Sequence, residues 1–119
     1  MKFVSAPQFA ESRRAKRRRI IGFMPGQLYL AISRERVVCR PLDVSVSGIA
    51  IFTEDELPPE EMFVLQIMEH QIMLKKVYVR ENPGDAVGYR YGLRVIDSEV
   101  DLERLCEEAG VLAGPSMDL

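Results

Sequence analysis

The sequence predicts an all-β domain with one helix: six antiparallel strands that form a small β-barrel, followed by a C-terminal α-helix. Apolar residues alternate with polar ones at period two from Gln27 to Val95, which is typical of half-buried strands. Segments rich in Gly, Pro, Asp and Asn interrupt the alternation and predict turns. An apolar stripe at helical spacing lies between residues 98 and 110. A helix there would cover an open end or side of the barrel.

The predicted strands follow one another from residue 27 and are joined by short turns. His70 and Gln71 are expected to form a hairpin turn. The alternation changes phase at Lys75 and Lys76, which predicts a β-bulge at that point. The six strands are Gln27–Ile32, Val37–Val46, Ile49–Thr53, Met62–Glu69, Ile72–Arg80 and Tyr89–Val95.

One amphipathic helix is predicted near the C-terminus. Ser98 and Asp101 resemble the start of a capped helix, Leu102 and Cys106 belong to its apolar stripe, and Gly110 is suited to end it. The chain is therefore divided into a flexible basic N-terminal arm over residues 1–19, a barrel with its helix over residues 20–110, and a tail over residues 111–119.

Length and composition favour a single globular domain in the cytoplasm. The chain has 119 residues, of which 47% are hydrophobic and 29% charged, as expected for one stand-alone domain. No apolar run approaches the roughly 18 residues that span a bilayer, so no membrane insertion is expected. The N-terminus lacks the pattern of a secretory signal. Two cysteines are too few for a disulfide framework, and a reducing compartment is expected.

The near-neutral net charge of -2 conceals a strong asymmetry. Residues 1–22 carry seven basic side chains against Glu11, a net charge of +6, whereas the rest of the chain has nine basic and 17 acidic residues, a net charge of -8. This distribution indicates an anionic ligand that the arm recognises. Nucleic-acid binding by the folded body is disfavoured, because such binding requires positive charge over its surface.

The segment from Asp43 to Gly48 has the sequence DVSVSG. At strand spacing Val44 and Val46 would enter the core, leaving Asp43 and Ser45 side by side on the outer surface. A carboxylate accepts N–H donors and a hydroxyl donates or accepts, which suits the N1–H and N2–H edge of guanine. Gly48 would allow a tight turn or the close approach of a flat ligand. An Asx-type turn that ends a strand is the simpler structural alternative.

Two overlapping R-x-x-x-R pairs lie in the arm, Arg13 with Arg17 and Arg14 with Arg18. Guanidinium groups bind phosphate oxygens and the O6/N7 edge of guanine, and they stack on flat rings. A solvated basic tail, or a patch that binds polyanions without specificity, is the alternative.

The two motifs together, in this order and spacing, resemble the PilZ domain family. Gly92-Leu93-Arg94-Val95 is also similar to that family's last strand, with Val95 where Phe is expected. The resemblance covers about Glu11 to Ala109. It implies a bacterial receptor for cyclic di-GMP on a six-stranded barrel.

The resemblance also implies which residues bind the nucleotide. The R-x-x-x-R arginines would hold guanine faces and phosphates, while the second motif would hold a guanine edge. The register of the arginines stays open; Arg14 with Arg18 is preferred, because Arg19 and Ile20 would then open a strand. In that register Arg13 precedes the motif, which in the family accompanies two stacked nucleotides; in the other register Ser12 would take this place. The implied ligand-binding residues are Arg13, Arg14, Arg17, Arg18, Asp43, Ser45 and Gly48.

The sequence does not predict an enzyme, a metal site or a cofactor. It contains no pairing of a nucleophile with a base and no glycine-rich phosphate loop. His70 is expected to be a surface turn residue, and Cys106 a packing residue. Arg40 is expected to form a surface salt bridge, although it could also face the ligand.

The function expected from these features is that of a cyclic di-GMP receptor or adaptor. The basic arm would close over the barrel when the nucleotide binds, and the new surface would be recognised by a downstream protein in trans. One alternative is a PilZ-fold interaction module that works without nucleotide. Another is RNA or DNA binding through the arginine arm.

Overall fold

The computed structural model describes residues 16–112. They form seven strands and one helix. The strands are β1 (Arg18–Arg19), β2 (Gln27–Leu30), β3 (Arg40–Val44), β4 (Gly48–Thr53), β5 (Met62–Ile67), β6 (His70–Glu81) and β7 (Tyr89–Val95), and the helix is α1 (Leu102–Glu108). Most of the predicted arm and the end of the predicted tail lie outside the described residues.

All seven strands belong to one antiparallel sheet in the order β1-β3-β4-β7-β6-β5-β2. The predicted strand count and the closed barrel are therefore wrong, although the mostly β fold with one C-terminal helix is confirmed. The extra strand, β1, lies in a basic segment that shows no apolar alternation, so the sequence gives no signal for it. The edge strands β1 and β2 are not hydrogen-bonded to each other.

The edge of β2 that faces away from β5 is already occupied, which explains why the sheet does not close. Residues 35–37 fold back along this edge, where the Leu30 amide donates to the Glu35 carbonyl and the Val37 amide donates to the Leu28 carbonyl. These backbone groups are then satisfied locally and are not available to β1. The second predicted strand is shorter than expected for the same reason, since β3 begins only at Arg40.

The core lies between the inner face of the sheet and α1. Phe63, Ile51 and Leu74 are among its fully buried side chains, and α1 adds Leu102 and Cys106. The packing role predicted for Cys106 is confirmed. Because its burial is complete, desolvation raises the pKa of the Cys106 thiol to about 12.

The ends of α1 agree in part with the sequence prediction. Asp101 is the N-cap, and its carboxylate accepts a hydrogen bond from the Arg104 amide. Ser98 lies three residues before this cap and does not begin the helix. Gly110, at φ +76°, follows the C-cap Ala109 as expected for a glycine that ends a helix.

Two local predictions in the β5–β6–β7 meander have opposite outcomes. The predicted bulge is confirmed, since the β6–β7 register shifts between Lys76 and Tyr78. The hairpin turn lies two residues earlier than predicted, at Met68 and Glu69, and His70 already pairs with Ile67. Met68 adopts φ +54°, a conformation that its sequence does not signal. Within residues 16–112 no helix is long and apolar enough to cross a membrane.

The last residues of the predicted arm belong to the folded body. Arg18 and Arg19 pair with Val44 and Asp43 of β3. The chain then continues between β3 and the C-terminal segment, because the Ile20 amide donates to the Leu42 carbonyl and the Ile21 amide donates to the Val111 carbonyl. This arrangement fixes the point where the basic segment meets the sheet.

Candidate functional site

Asp43 is the centre of a charged cluster on the outer face of the sheet. Its side chain is 20% exposed, and each of its two carboxylate oxygens has a different arginine partner. Arg17 donates from Nε to Oδ1, and Arg90 donates from Nη2 to Oδ2 at 3.2 Å. The motif aspartate and one motif arginine are thus in direct contact, although 26 residues separate them.

Ser45 lies beside Asp43, but in a different environment from the one predicted. It is buried, with 2% exposure, and its Oγ lies 3.4 Å from Arg17 Nη1, which donates to it. Val44 enters the core as expected, whereas Val46 is 45% exposed. The alternation fails because β3 ends at Val44 and the chain turns, with the Ser45 amide donating to the Gly48 carbonyl.

Gly48 allows two strands to approach closely. A Cβ at this position would lie 2.7 Å from the Leu93 carbonyl oxygen on β7, a distance that real Cβ atoms do not tolerate. Packing between β4 and β7 therefore requires glycine here. The same residue lines the cleft beside Asp43.

The arginines of the predicted motif lie on opposite sides of the sheet. Arg17 contacts Asp43 and Ser45, whereas Arg18 donates from Nη1 to Glu103 Oε2 at 3.0 Å and lies 3.7 Å from Glu107 on α1. Neighbouring residues of an extended chain point to opposite faces, so the two arginines cannot share one ligand face in this backbone. Arg13 and Arg14 lie outside the described residues.

Two side chains that the sequence analysis did not assign to the site complete it. Arg90 on β7 contacts Asp43 and also donates from Nε to the Tyr78 hydroxyl at 2.9 Å. The Tyr78 ring packs against Gly92, where a Cβ would come within 2.1 Å of it. Gly92 opens the predicted last-strand motif, and it is the sequence signal that could have indicated a ring packed at this point.

These groups line a shallow cleft of about 310 Å³ between β4, β6 and β7. The hydrogen bond to Tyr78 raises the pKa of the Arg90 guanidinium above its ordinary value, although partial burial acts to lower it. Arg90 therefore stays cationic at any physiological pH. The lining residues are Arg17, Ser47, Gly48, Ile49, Val77, Tyr78, Arg90, Gly92, Leu93 and Arg94.

The outer face of the sheet carries many basic side chains. Directly paired residues of neighbouring strands share a face, and the pairings align basic residues from four strands and the segment before β1. Asp43 is the acidic side chain among them, in a body whose formal charge is -8. The cations are Arg17, Arg19, Arg40, Lys75, Arg80, Arg90 and Arg94. We call this surface the cationic face.

The remaining candidates have structural roles. Arg40 lies on the cationic face with its guanidinium 4.9 Å from the centre of the Phe52 ring, so a cation–π contact replaces the salt bridge expected for it. His70 is exposed at the start of β6. Burial raises the pKa of the Cys39 thiol to about 12 despite the nearby Arg36. In residues 16–112 no three His, Cys, Asp or Glu side chains are grouped to hold a metal ion.

The fold and the cleft define a small β-rich binding domain with a cationic sheet face. The sequence model of the PilZ domain family matches residues 11–108, and the chain therefore belongs to the PilZ family, whose domains bind ligands and are not enzymes. The structure of the PilZ domain of YcgR from Escherichia coli with c-di-GMP is similar in fold, with a TM-score of 0.51 and 13% identity over 82% of this chain and 86% of that chain. No curated protein matches this sequence.

Proposed function

We propose that this protein is a cytoplasmic receptor for cyclic di-GMP that acts by binding and not by catalysis. The contact of Arg17 with Asp43 and Ser45 on the cationic face carries the proposal. It unites side chains from both PilZ motifs in one place. The nucleotide in the YcgR complex supports the same ligand for this chain.

The chemistry of the cluster suits a guanine nucleotide. Asp43 accepts hydrogen bonds, and the N1–H and N2–H groups of guanine donate them. A guanine edge that binds Asp43 Oδ1 displaces Arg17, whose guanidinium is then free to bind a phosphate or the O6/N7 edge of a base. The two arginines in contact with Asp43, with five further cations on the same face, also favour a ligand that carries two negative charges.

The geometry supports Arg13 with Arg17 as the binding pair. Arg17 faces Asp43, whereas Arg18 faces Glu103 and Glu107 of α1. Arg13 stands one R-x-x-x-R interval before Arg17. This register differs from the Arg14–Arg18 pair preferred on the sequence, and it places Ser12 before the motif. We therefore expect one bound nucleotide per chain and not two.

Binding would also change the surface that a partner protein meets. Arg17, Arg18 and Arg19 already lie on the sheet, so the proposed closure concerns the part of the arm before residue 16. Ordering six residues there would cost about 6 to 12 kcal/mol of backbone entropy, and the adjacent cations Arg13 and Arg14 repel each other. A nucleotide held by Arg17 and Asp43 at once offsets these costs, so the arm closes over the sheet. The closed arm and the cationic face then form one surface for a downstream partner in trans.

Isothermal titration of the full chain with cyclic di-GMP, GMP and a short RNA tests the receptor function. We expect tight binding of cyclic di-GMP, weaker binding of GMP and a modest salt dependence. The cationic face favours RNA or DNA binding as the competing function, which would appear as a steep salt dependence without preference for guanine nucleotides. No binding of any of the three would favour an interaction module that works without nucleotide.

A further inference from the structure

Arg90 links Tyr78, which lines the cleft, to Asp43 beside it through a chain of hydrogen bonds. Its Nε donates to the Tyr78 hydroxyl at 2.9 Å, and its Nη2 donates to Asp43 Oδ2 at 3.2 Å. The three residues come from β6, β7 and β3. Arg90 and Asp43 are 47 positions apart in the sequence.

The sheet builds the Tyr78 end of this chain. The bulge between Lys76 and Tyr78 shifts the register of β6, so that Tyr78 pairs with Gly92 and lies on the outer face. The ring can lie against β7 because Gly92 has no side chain, as the 2.1 Å approach of a Cβ to the ring shows. The hydroxyl is thereby fixed beside the Arg90 side chain.

The two arginine partners of Asp43 are held differently. Arg90 belongs to β7, which pairs with β4 on one side and β6 on the other, and its side chain is 26% exposed. Arg17 precedes the two-residue edge strand β1, and its side chain is 43% exposed. An incoming ligand can therefore displace Arg17 from Oδ1 while Arg90 keeps its contact with Oδ2.

We infer that Arg90 is a positioning residue that holds the Asp43 carboxylate for a guanine edge, with Tyr78 orienting Arg90; this inference rests on the proposed function. A carboxylate held through Oδ2 presents Oδ1 to the N1–H and N2–H donors of guanine. Adenine has an acceptor at N1 and no amino group at C2, so it cannot make the same pair. Arg90 and Tyr78 thus set the preference of the site for guanine over adenine.

The test compares the affinities of cyclic di-GMP and cyclic di-AMP for the full chain by isothermal titration. Arg90→Gln removes the positive charge and the guanidinium that donates to Tyr78 and Asp43 at once. Arg90→Lys restores the charge alone, and Tyr78→Phe removes only the hydroxyl. Lys75→Gln is the control for charge, because Lys75 is an exposed cation of the same face that pairs with Arg94 across β6 and β7. Arg80 would be a poor control, since its guanidinium lies 5.8 Å from the centre of the Tyr78 ring. Circular dichroism checks that each variant is folded.

We expect Arg90→Gln to weaken cyclic di-GMP binding about tenfold or more while changing cyclic di-AMP binding much less, so that the ratio of the two affinities falls. Tyr78→Phe should lower the ratio by a smaller factor, and Arg90→Lys should recover part of it. Lys75→Gln should weaken the binding of both ligands alike, as loss of charge alone does.

The outcomes separate this inference from the proposed function. If the wild type prefers cyclic di-GMP and both Arg90→Gln and Tyr78→Phe leave the ratio unchanged, Arg90 has no positioning role although the receptor function stands. Equal effects of Arg90→Gln and Lys75→Gln on the ratio would overturn the inference in the same way. If the wild type binds neither dinucleotide, the proposed function fails and the inference fails with it.

Discussion

Substitution of two neighbouring arginines by glutamine should give opposite phenotypes. Arg17→Gln removes the contacts with Asp43 and Ser45 on the cationic face, so cyclic di-GMP binding should fall strongly. The Arg17 side chain is 43% exposed, and Asp43 keeps its contact with Arg90 when Arg17 is lost. Loss of the Arg17–Asp43 pair should therefore lower the free energy of unfolding by only about 0 to 1 kcal/mol. Arg17→Gln should therefore leave stability almost unchanged.

Arg18→Gln should have the reverse effect. The Arg18 guanidinium lies 3.0 Å from Glu103, and the two side chains are only 19% and 21% exposed. A charge-assisted hydrogen bond that is well shielded from solvent contributes about 1.5 to 3 kcal/mol to the free energy of unfolding. Partial exposure reduces this contribution to about 1 to 2 kcal/mol. The unfolding midpoint should fall by at least about 4 °C, while the affinity for the nucleotide should change less than about twofold.

Thermal unfolding followed by circular dichroism and isothermal titration on the same samples measure both quantities. Arg104→Gln is the control, because Arg104 is an exposed arginine on α1 whose side chain is 73% accessible. It should change neither quantity. A loss of binding in Arg18→Gln that equals the loss in Arg17→Gln, with unchanged stability, would refute the assignment of the two arginines to opposite faces. The Arg14–Arg18 register would then be correct.

Three further predictions concern other parts of the molecule. Asp43→Ala should abolish most cyclic di-GMP binding in a titration, while the circular dichroism spectrum stays that of the wild type. Gly48→Ala should lower the free energy of unfolding by about 1 to 3 kcal/mol, because its Cβ would lie 2.7 Å from the Leu93 carbonyl oxygen; Ser47→Ala, at an exposed neighbour, should not. Stability should fall as pH rises from 9.0 towards about 12, because the Cys106 thiol ionises in the unfolded chain before it does so in the fold. Urea titrations across this range should show a shallower fall for Cys106→Val.

Local patterns in the sequence predicted much of the fold and the general nature of the site. Alternation gave five of the strands near their observed positions, and the phase change in β6 gave the bulge, because both depend on residues close together in the chain. Gly110 ends α1 as expected, since a residue at positive φ favours glycine. The motif around Asp43 and the basic segment before Ile20 also predicted the residue types of a nucleotide site, and their binding of a nucleotide stays a prediction.

What the sequence by itself determined is the set of β-forming segments, the helix and the chemistry of the two PilZ motifs. The tertiary structure decided which arginine faces Asp43, because β1 is fixed by its pairing with β3 and not by any pattern of its own. It also decided that Arg90 and Tyr78 complete the cleft, since sheet order alone brings β6, β7 and β3 near one another. The open sheet follows from residues 35–37 on the edge of β2. Each of these outcomes depends on pairing between distant segments, where the free energy of backbone hydrogen bonds and burial is shared among many residues and leaves no signal at one position.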